Sequence, residues 1–229
     1  MEEGSKETGA IRLTTNLRLK GEGFDSSFID VLPELENNLS IRLVGSILNR
    51  SLILFAIKSA TAYPEDSNDI LSFLKREGLD SSMSDEEKYF LTEQGINDEK
   101  LLIRFSWYSE SLYVLLWVLG IATDKCLDSP YEEKTLSNKW LDLFPPPIEK
   151  LETLKSKVNL RDERRILEEL DYYYHLHWIA KKPQKKKSLL RIFSSKESGK
   201  LNISVVRERR RALEWVCSDN DWNEVHMDT

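Results

Sequence analysis

The longest uncharged apolar run in the sequence lies near the middle of the chain. The twelve residues from Ser111 to Ala122 carry no charge, and their apolar side chains fall on every side of a helical wheel. A membrane-spanning helix needs about 20 apolar residues, whereas a shorter run is typical of a buried core helix. Glu110 also stands directly before this run. We therefore predict a buried central helix over residues 101–122, with Trp117 almost fully buried.

Apolar residues at helical spacing predict further helices on both sides of the central one. Ser84 followed by Glu87 is the sequence signature of a capping box at a helix start. The predicted fold is all-α, a single compact multi-helix domain over residues 38–229. The preceding segment, residues 1–37, is poorly defined and compatible with either a short helix or a strand. The predicted flanking helices cover about residues 38–62, 67–78, 84–91, 130–144, 162–182 and 202–216.

Charge is distributed unevenly along the chain. The net charge is −6, yet residues 181–211 hold twelve Lys or Arg against two acids, which leaves −16 on the rest of the molecule. An acidic body argues against DNA binding and favours a protein partner that is basic. Residues 183–200 lack sustained periodicity and are predicted to be an exposed basic connection. Basic and apolar residues alternate in this region, so a weak contact of residues 181–200 with RNA or an anionic membrane stays open.

Two further features concern the cellular setting. The first ten residues are polar and acidic, without the apolar stretch of a secretory signal. The two cysteines, Cys126 and Cys217, lie far apart in sequence and fit no metal-binding or redox spacing, so both are expected to be reduced. We expect a cytoplasmic protein with no transmembrane segment and no cofactor. The sequence leaves the oligomeric state open.

Histidines and carboxylates on the predicted helices are the candidates for chemistry. His175 and His177 are two positions apart, which places them about 200° apart around a helix. They therefore cannot chelate one metal ion, and no metal site is predicted. Asp171 lies one turn before His175 and could fix the tautomer of its imidazole. If the protein is an enzyme, Glu110 joins these three residues in a site between helices, although no motif places a nucleophile.

Aromatic and charged residues on the same helices are candidates for binding or for structural pairing. An unpaired buried charge is costly. We therefore predict that Asp171 meets Arg207 or Arg211 across two helices, with His175 beside it, and that this pair is structural. One of the four arginines between residues 207 and 211 is expected to meet a carboxylate such as Asp171 or Glu110. The candidate binding residues are Trp107, Glu110, Asp171, Tyr174, Trp178, Arg207, Arg211, Trp215 and Trp222.

Four segments of the chain together resemble a known family. They are Trp107-Tyr108-Ser109-Glu110 with the following LYVLLWVLG, then RRILEELDYYYHLHWIA, then RERRRALEWV, and last DWNEVHMDT. In order and spacing they resemble the bacterial domain-of-unknown-function family 4272 over about residues 39–229. The resemblance implies a compact α-helical domain in bacteria. It brings no established activity, cofactor or catalytic residue.

The leading functional hypothesis is a non-catalytic domain that binds a protein partner, of the accessory or immunity-protein kind. The alternative is a hydrolase-type enzyme that uses Glu110, Asp171, His175 and His177. The third hypothesis is the RNA or membrane contact through residues 181–200. Convergence of the acid and histidine side chains in a concave pocket would favour the enzyme, whereas their burial with full pairing would favour a structural role.

Overall fold

The computed structural model of the protein describes residues 2–27, 29–36, 39–122, 155–181, 201–225 and 227. Every regular element in this part of the chain is helical, which confirms the predicted all-α fold. The predicted helix at 130–144 and the basic connection at 183–200 lie outside the described residues. No helix in the described ranges is long and apolar enough to cross a membrane.

Three of the described α-helices begin at residues whose side chains cap them, namely Ser84, Asp98 and Asn202. Ser84 Oγ accepts a hydrogen bond from the Glu87 backbone at 3.2 Å, and the Glu87 carboxylate accepts one from the Ser84 backbone at 2.9 Å. The predicted capping box is therefore confirmed. The side chain of Asn202 caps the start of the last helix. The α-helices are α1 (Glu2–Gly21), α2 (Val44–Ala62), α3 (Ser67–Arg76), α4 (Asp85–Phe90), α5 (Glu99–Ser106), α6 (Tyr108–Val118), α7 (Glu163–Lys181) and α8 (Ile203–Val216).

The predicted central helix is in fact two helices, α5 and α6, joined at Trp107. The Trp107 backbone N–H donates to the carbonyl of Arg104 at 3.3 Å, a three-residue turn that interrupts the regular α-helical pattern. The prediction of one continuous helix over residues 101–122 is therefore wrong. The burial pattern gives the reason: α5 is amphipathic, with Ile103 and Arg104 exposed, whereas every residue of α6 is buried.

The packing order of the helices places α6 at the centre of the core. α6 contacts α2 on one side and α8 on the other, α8 also contacts α7, and α7 contacts α1. Trp117 has no exposed surface, which confirms its predicted burial. Because α8 lies between α6 and α7, its side chains reach both neighbours, and the polar groups described below depend on this position.

The N-terminal segment, which the sequence left undefined, contains the helix α1 packed on α7. Ile11 and Leu19 of α1 are buried. Arg18 Nη1 donates to Glu169 Oε1 of α7 at 2.6 Å, and the Tyr172 hydroxyl of α7 donates to Glu22 Oε2 at 2.5 Å. These contacts, made across about two-thirds of the chain in sequence, anchor α1 to the rest of the fold.

Candidate functional site

A buried ion pair connects the three central helices. Arg209 of α8 donates from Nε to Glu110 Oε2 of α6 at 2.8 Å, and from Nη1 to the Tyr173 hydroxyl of α7 at 2.9 Å. Neither charged side chain has any exposed area. The expectation that at least one arginine of residues 207–211 meets a carboxylate such as Asp171 or Glu110 is confirmed by this pair. The geometry joins α6, α7 and α8 at one point and leaves Glu110 no access to solvent.

Asp171 and His175 lie on the side of α7 that faces α1. His175 Nδ1 donates to the Asp171 carbonyl oxygen at 2.6 Å and lies 3.6 Å from Asp171 Oδ1. Asp171 Oδ1 is also 3.9 Å from Nη2 of Arg12 in α1. The predicted pair of Asp171 with Arg207 or Arg211 is therefore wrong, because Asp171 does not face α8.

His177 lies on the α8 side of α7, as its two-residue offset from His175 requires. Arg210 Nη1 donates to His177 Nδ1 at 2.8 Å, so this ring nitrogen must be unprotonated. Burial, together with the positive charges of Arg210, Lys181 and Arg207, lowers the pKa of His177 to about 4. The imidazole is therefore a neutral hydrogen-bond acceptor that positions α8 against α7.

The low pKa of His177 makes stability depend on pH in a defined direction. In the unfolded chain the imidazole titrates near 6.5, whereas in the folded protein it titrates near 4. As the pH falls from about 6.5 towards 4, the unfolded state takes up the proton first, so the free energy of unfolding should decrease. His177→Asn should reduce this decrease, because the amide oxygen can still accept from Arg210 without titrating.

Denaturant unfolding at about pH 7.5 and pH 5 measures this difference. The higher pH serves as the internal control, because His177 is neutral there in both states. A wild type and a His177→Asn variant that lose the same stability on acidification would contradict the assignment.

The four residues proposed for an enzyme are buried and lie in separate helix contacts. Glu110 bonds Arg209, the Asp171–His175 pair faces α1, and His177 bonds Arg210. Among the described residues, no group of three or more His, Cys, Asp or Glu side chains could hold a metal ion.

Four of the predicted aromatic binding residues pack against other residues of the fold. Trp215 and Trp222 are buried, with ring centroids 5.4 Å apart. Tyr174 is half-buried beneath the Arg210 guanidinium, 4.8 Å from its ring centroid, and Trp178 is partly buried against the core. Trp222 in turn packs against Arg211 at 4.8 Å. These four rings therefore stabilise the helix packing.

The remaining predicted binding residues meet in one pocket, which we call the arginine pocket. Trp107, Arg207 and Arg211 line a cavity of about 380 Å³ between the end of α5, one face of α8 and the C-terminal segment. Arg104 and Glu208 also line the pocket, although neither was among the predicted site residues. The sequence did contain a signal for this grouping, because Ser204, Arg207, Glu208 and Arg211 follow the i, i+3, i+4, i+7 spacing of one helix face. The described residues of the lining are Arg104, Trp107, Ser204, Arg207, Glu208, Arg211, Asn223, Val225 and Met227.

The arginines of this pocket differ in how they are held. Arg104 is paired with Glu86 of α4. Arg211 Nη2 donates to the Trp222 carbonyl at 3.1 Å, which orients its guanidinium. Arg207 is exposed and has no hydrogen bond or ion pair with any described residue. The pocket thus contains the guanidinium group of Arg211, which is held in place, and that of Arg207, which is available to a ligand.

Among the described residues of the lining, Glu208 is the one carboxylate. Its Oε2 accepts a hydrogen bond from Ser111 Oγ of α6 at 3.2 Å and lies 3.9 Å from Arg211 Nη1. Burial raises the pKa of Glu208 despite the nearby arginines. Three guanidinium groups against one carboxylate give the described lining a net positive charge.

The fold and this pocket define an all-α domain with a concave, positively charged site. A family model described as "Domain of unknown function (DUF4272)" matches residues 12–225, and the chain belongs to this family. The match extends the similarity seen in the sequence from about residue 39 back into α1. No curated protein and no solved structure matches the chain.

Proposed function

We propose that the protein is a non-catalytic binding domain, of the accessory or immunity-like kind, that holds an anionic group of its partner in the arginine pocket. The observation that carries this proposal is the placement of Arg104, Arg207 and Arg211 around one cavity. The guanidinium group presents several N–H donors in a planar fork, which matches the oxygens of a carboxylate or phosphate.

The state of the individual side chains supports an anionic ligand. Arg207 is exposed, so it can turn towards a ligand without breaking a contact to the described residues. Trp107 is partly exposed at the same cavity and offers an apolar wall beside the charged groups. A volume of about 380 Å³ is enough for a small anionic group such as a phosphate.

A binding role is also favoured over the hydrolase alternative. None of Glu110, Asp171, His175 and His177 lines the pocket, and their contacts join helices. A hydrolase would need a base or nucleophile within hydrogen-bond reach of its substrate. The overall negative charge suggested a basic partner, but the local charge of the pocket favours an acidic group. The RNA or membrane hypothesis depends on residues 181–200, almost all of which lie outside the described residues.

Replacing Arg207 with alanine tests the proposal directly. Inorganic phosphate should bind the wild-type protein weakly, with a Kd on the order of 1 mM at low salt. Arg207→Ala should weaken this binding about tenfold, because it removes one charged hydrogen bond, while the fold stays intact. Isothermal titration calorimetry measures the Kd, and the nitrogen-15 spectrum of the Trp107 indole reports the place of binding.

Arg164→Ala is the matched control, because Arg164 is a half-exposed arginine of α7 that pairs with Glu168 of its own helix and is not among the described residues that line the pocket. This variant should bind phosphate as the wild type does. Equal losses in the two variants would indicate nonspecific attraction and overturn the proposal. Absence of binding by both phosphate and sulfate would overturn it as well.

A further inference from the structure

The arginine pocket contains a carboxylate where a simple anion site would have none. Glu208 lies among Arg104, Arg207 and Arg211, and its side chain is only 14% exposed. Ser111 Oγ donates to its Oε2 at 3.2 Å and also to its backbone carbonyl at 3.1 Å, which holds the carboxylate in place from α6. Because Glu208 Oε2 lies 3.9 Å from Arg211 Nη1, a ligand bound by Arg211 would lie close to this carboxylate.

The interaction between the Glu208 carboxylate and a bound anion depends on whether the anion has a proton to donate. An ionised carboxylate can only accept hydrogen bonds. Against an oxyanion without a proton, two negative charges and two sets of lone pairs face each other inside a partly buried site, which is unfavourable. Against an anion with an O–H group, the carboxylate accepts a short charge-assisted hydrogen bond.

We propose that Glu208 selects, within the arginine pocket, for an anion that carries its own hydrogen-bond donor, of which hydrogen phosphate is the simplest example. This inference rests on the proposed function, because it concerns the ligand of the same pocket. It makes Glu208 a specificity-determining residue, while the arginines supply the attraction that all anions share.

The charged groups that face Glu208 come from two helices. Arg207 and Arg211 lie on its own helix α8, and Arg104 approaches from α5, while α6 contributes the neutral Ser111. Burial raises the pKa of Glu208 from its ordinary value. As the pH falls towards this raised pKa, Glu208 takes up a proton and can itself donate to an oxyanion, so the selection should disappear in acid.

Sulfate and phosphate at about pH 8 provide a matched pair of probes. Both are then mainly tetrahedral dianions of similar size, but only hydrogen phosphate carries a proton. Calorimetry on the wild-type protein should give a phosphate affinity at least about tenfold above that of sulfate. This comparison needs no substitution, so it does not depend on how a variant folds. Lowering the pH towards the raised pKa of Glu208 should strengthen sulfate binding.

Glu208→Gln should remove the preference by strengthening sulfate binding about tenfold, because the amide can donate where the carboxylate could not. Glu214→Gln is the control, since Glu214 lies on the same helix, pairs with Arg210 and does not line the pocket. It should keep the wild-type preference. Thermal unfolding of both variants verifies that they are folded.

The outcomes separate the two proposals. Equal binding of sulfate and phosphate by the wild type at about pH 8 would overturn the role of Glu208 and leave the anion pocket standing. A preference for phosphate over sulfate that persists in Glu208→Gln would likewise overturn the role of Glu208 and leave the anion pocket standing. Binding of neither anion would overturn both the pocket and its selectivity.

Discussion

Arg209→Ala is expected to lower the free energy of unfolding by about 3–5 kcal/mol, the cost of removing one partner from a buried ion pair. Glu110 would keep a charge with no exposed area and no counter-charge from Arg209. The Tyr173 hydroxyl would also lose the hydrogen bond that Arg209 donates at 2.9 Å. Denaturant unfolding followed by circular dichroism at neutral pH measures the loss.

The pair of Arg164 and Glu168, in which the arginine side chain is about half exposed, provides the control for this result. Arg164→Ala should cost under about 1 kcal/mol, because the pair lies one turn apart on the surface of α7. A double variant, Glu110→Leu with Arg209→Met, should regain much of the stability lost by Arg209→Ala, since it leaves no uncompensated charge. A loss under about 1 kcal/mol in Arg209→Ala would show that the pair is not buried in solution.

Trp117→Ala is expected to lower the free energy of unfolding by about 3–5 kcal/mol, through lost burial and the cavity left behind. Trp117 has no exposed area and lies at the end of α6, the helix that is buried on every side. The Arg161 guanidinium lies 4.6 Å from its ring centroid and also donates to the Trp117 carbonyl at 2.7 Å. The alanine variant would therefore lose aromatic packing as well as apolar contact.

Trp178→Ala is the comparison for this second prediction. Trp178 is only partly buried against the core, so the same substitution should cost clearly less than at position 117. Both variants can be measured by the same denaturant titration. Equal and small losses at the two positions would be inconsistent with α6 as the centre of the core.

Much of the fold could be predicted because the relevant signals are local. The uncharged run in α6 leaves no face for water, so its burial follows from the sequence alone. The capping box of Ser84 and Glu87, and the N-cap Asn202, fix helix starts within a few residues. The break at Trp107 was missed because no Gly or Pro marks it in the sequence.

The site was predicted only in part, because sequence signals are local and the site joins residues that lie far apart in the sequence. Trp107, Arg207 and Arg211 were recognised as binding candidates, but their meeting with Arg104 and Glu208 requires α5 and α8 to approach each other. The predicted partner of Asp171 was wrong, since the spacing of residues in α7 does not indicate which face contacts α1 and which contacts α8.

The sequence by itself determined the helical class, the buried core helix and the need to pair its buried charges, because periodicity and capping act over one or two turns of chain. The tertiary structure decided which charge meets which. Glu110 and Arg209 are 99 residues apart, and Arg18 and Glu169 are 151 residues apart. Such pairs depend on how helices cross and rotate in the packed core, where the contact of one helix is set by the shape of all its neighbours.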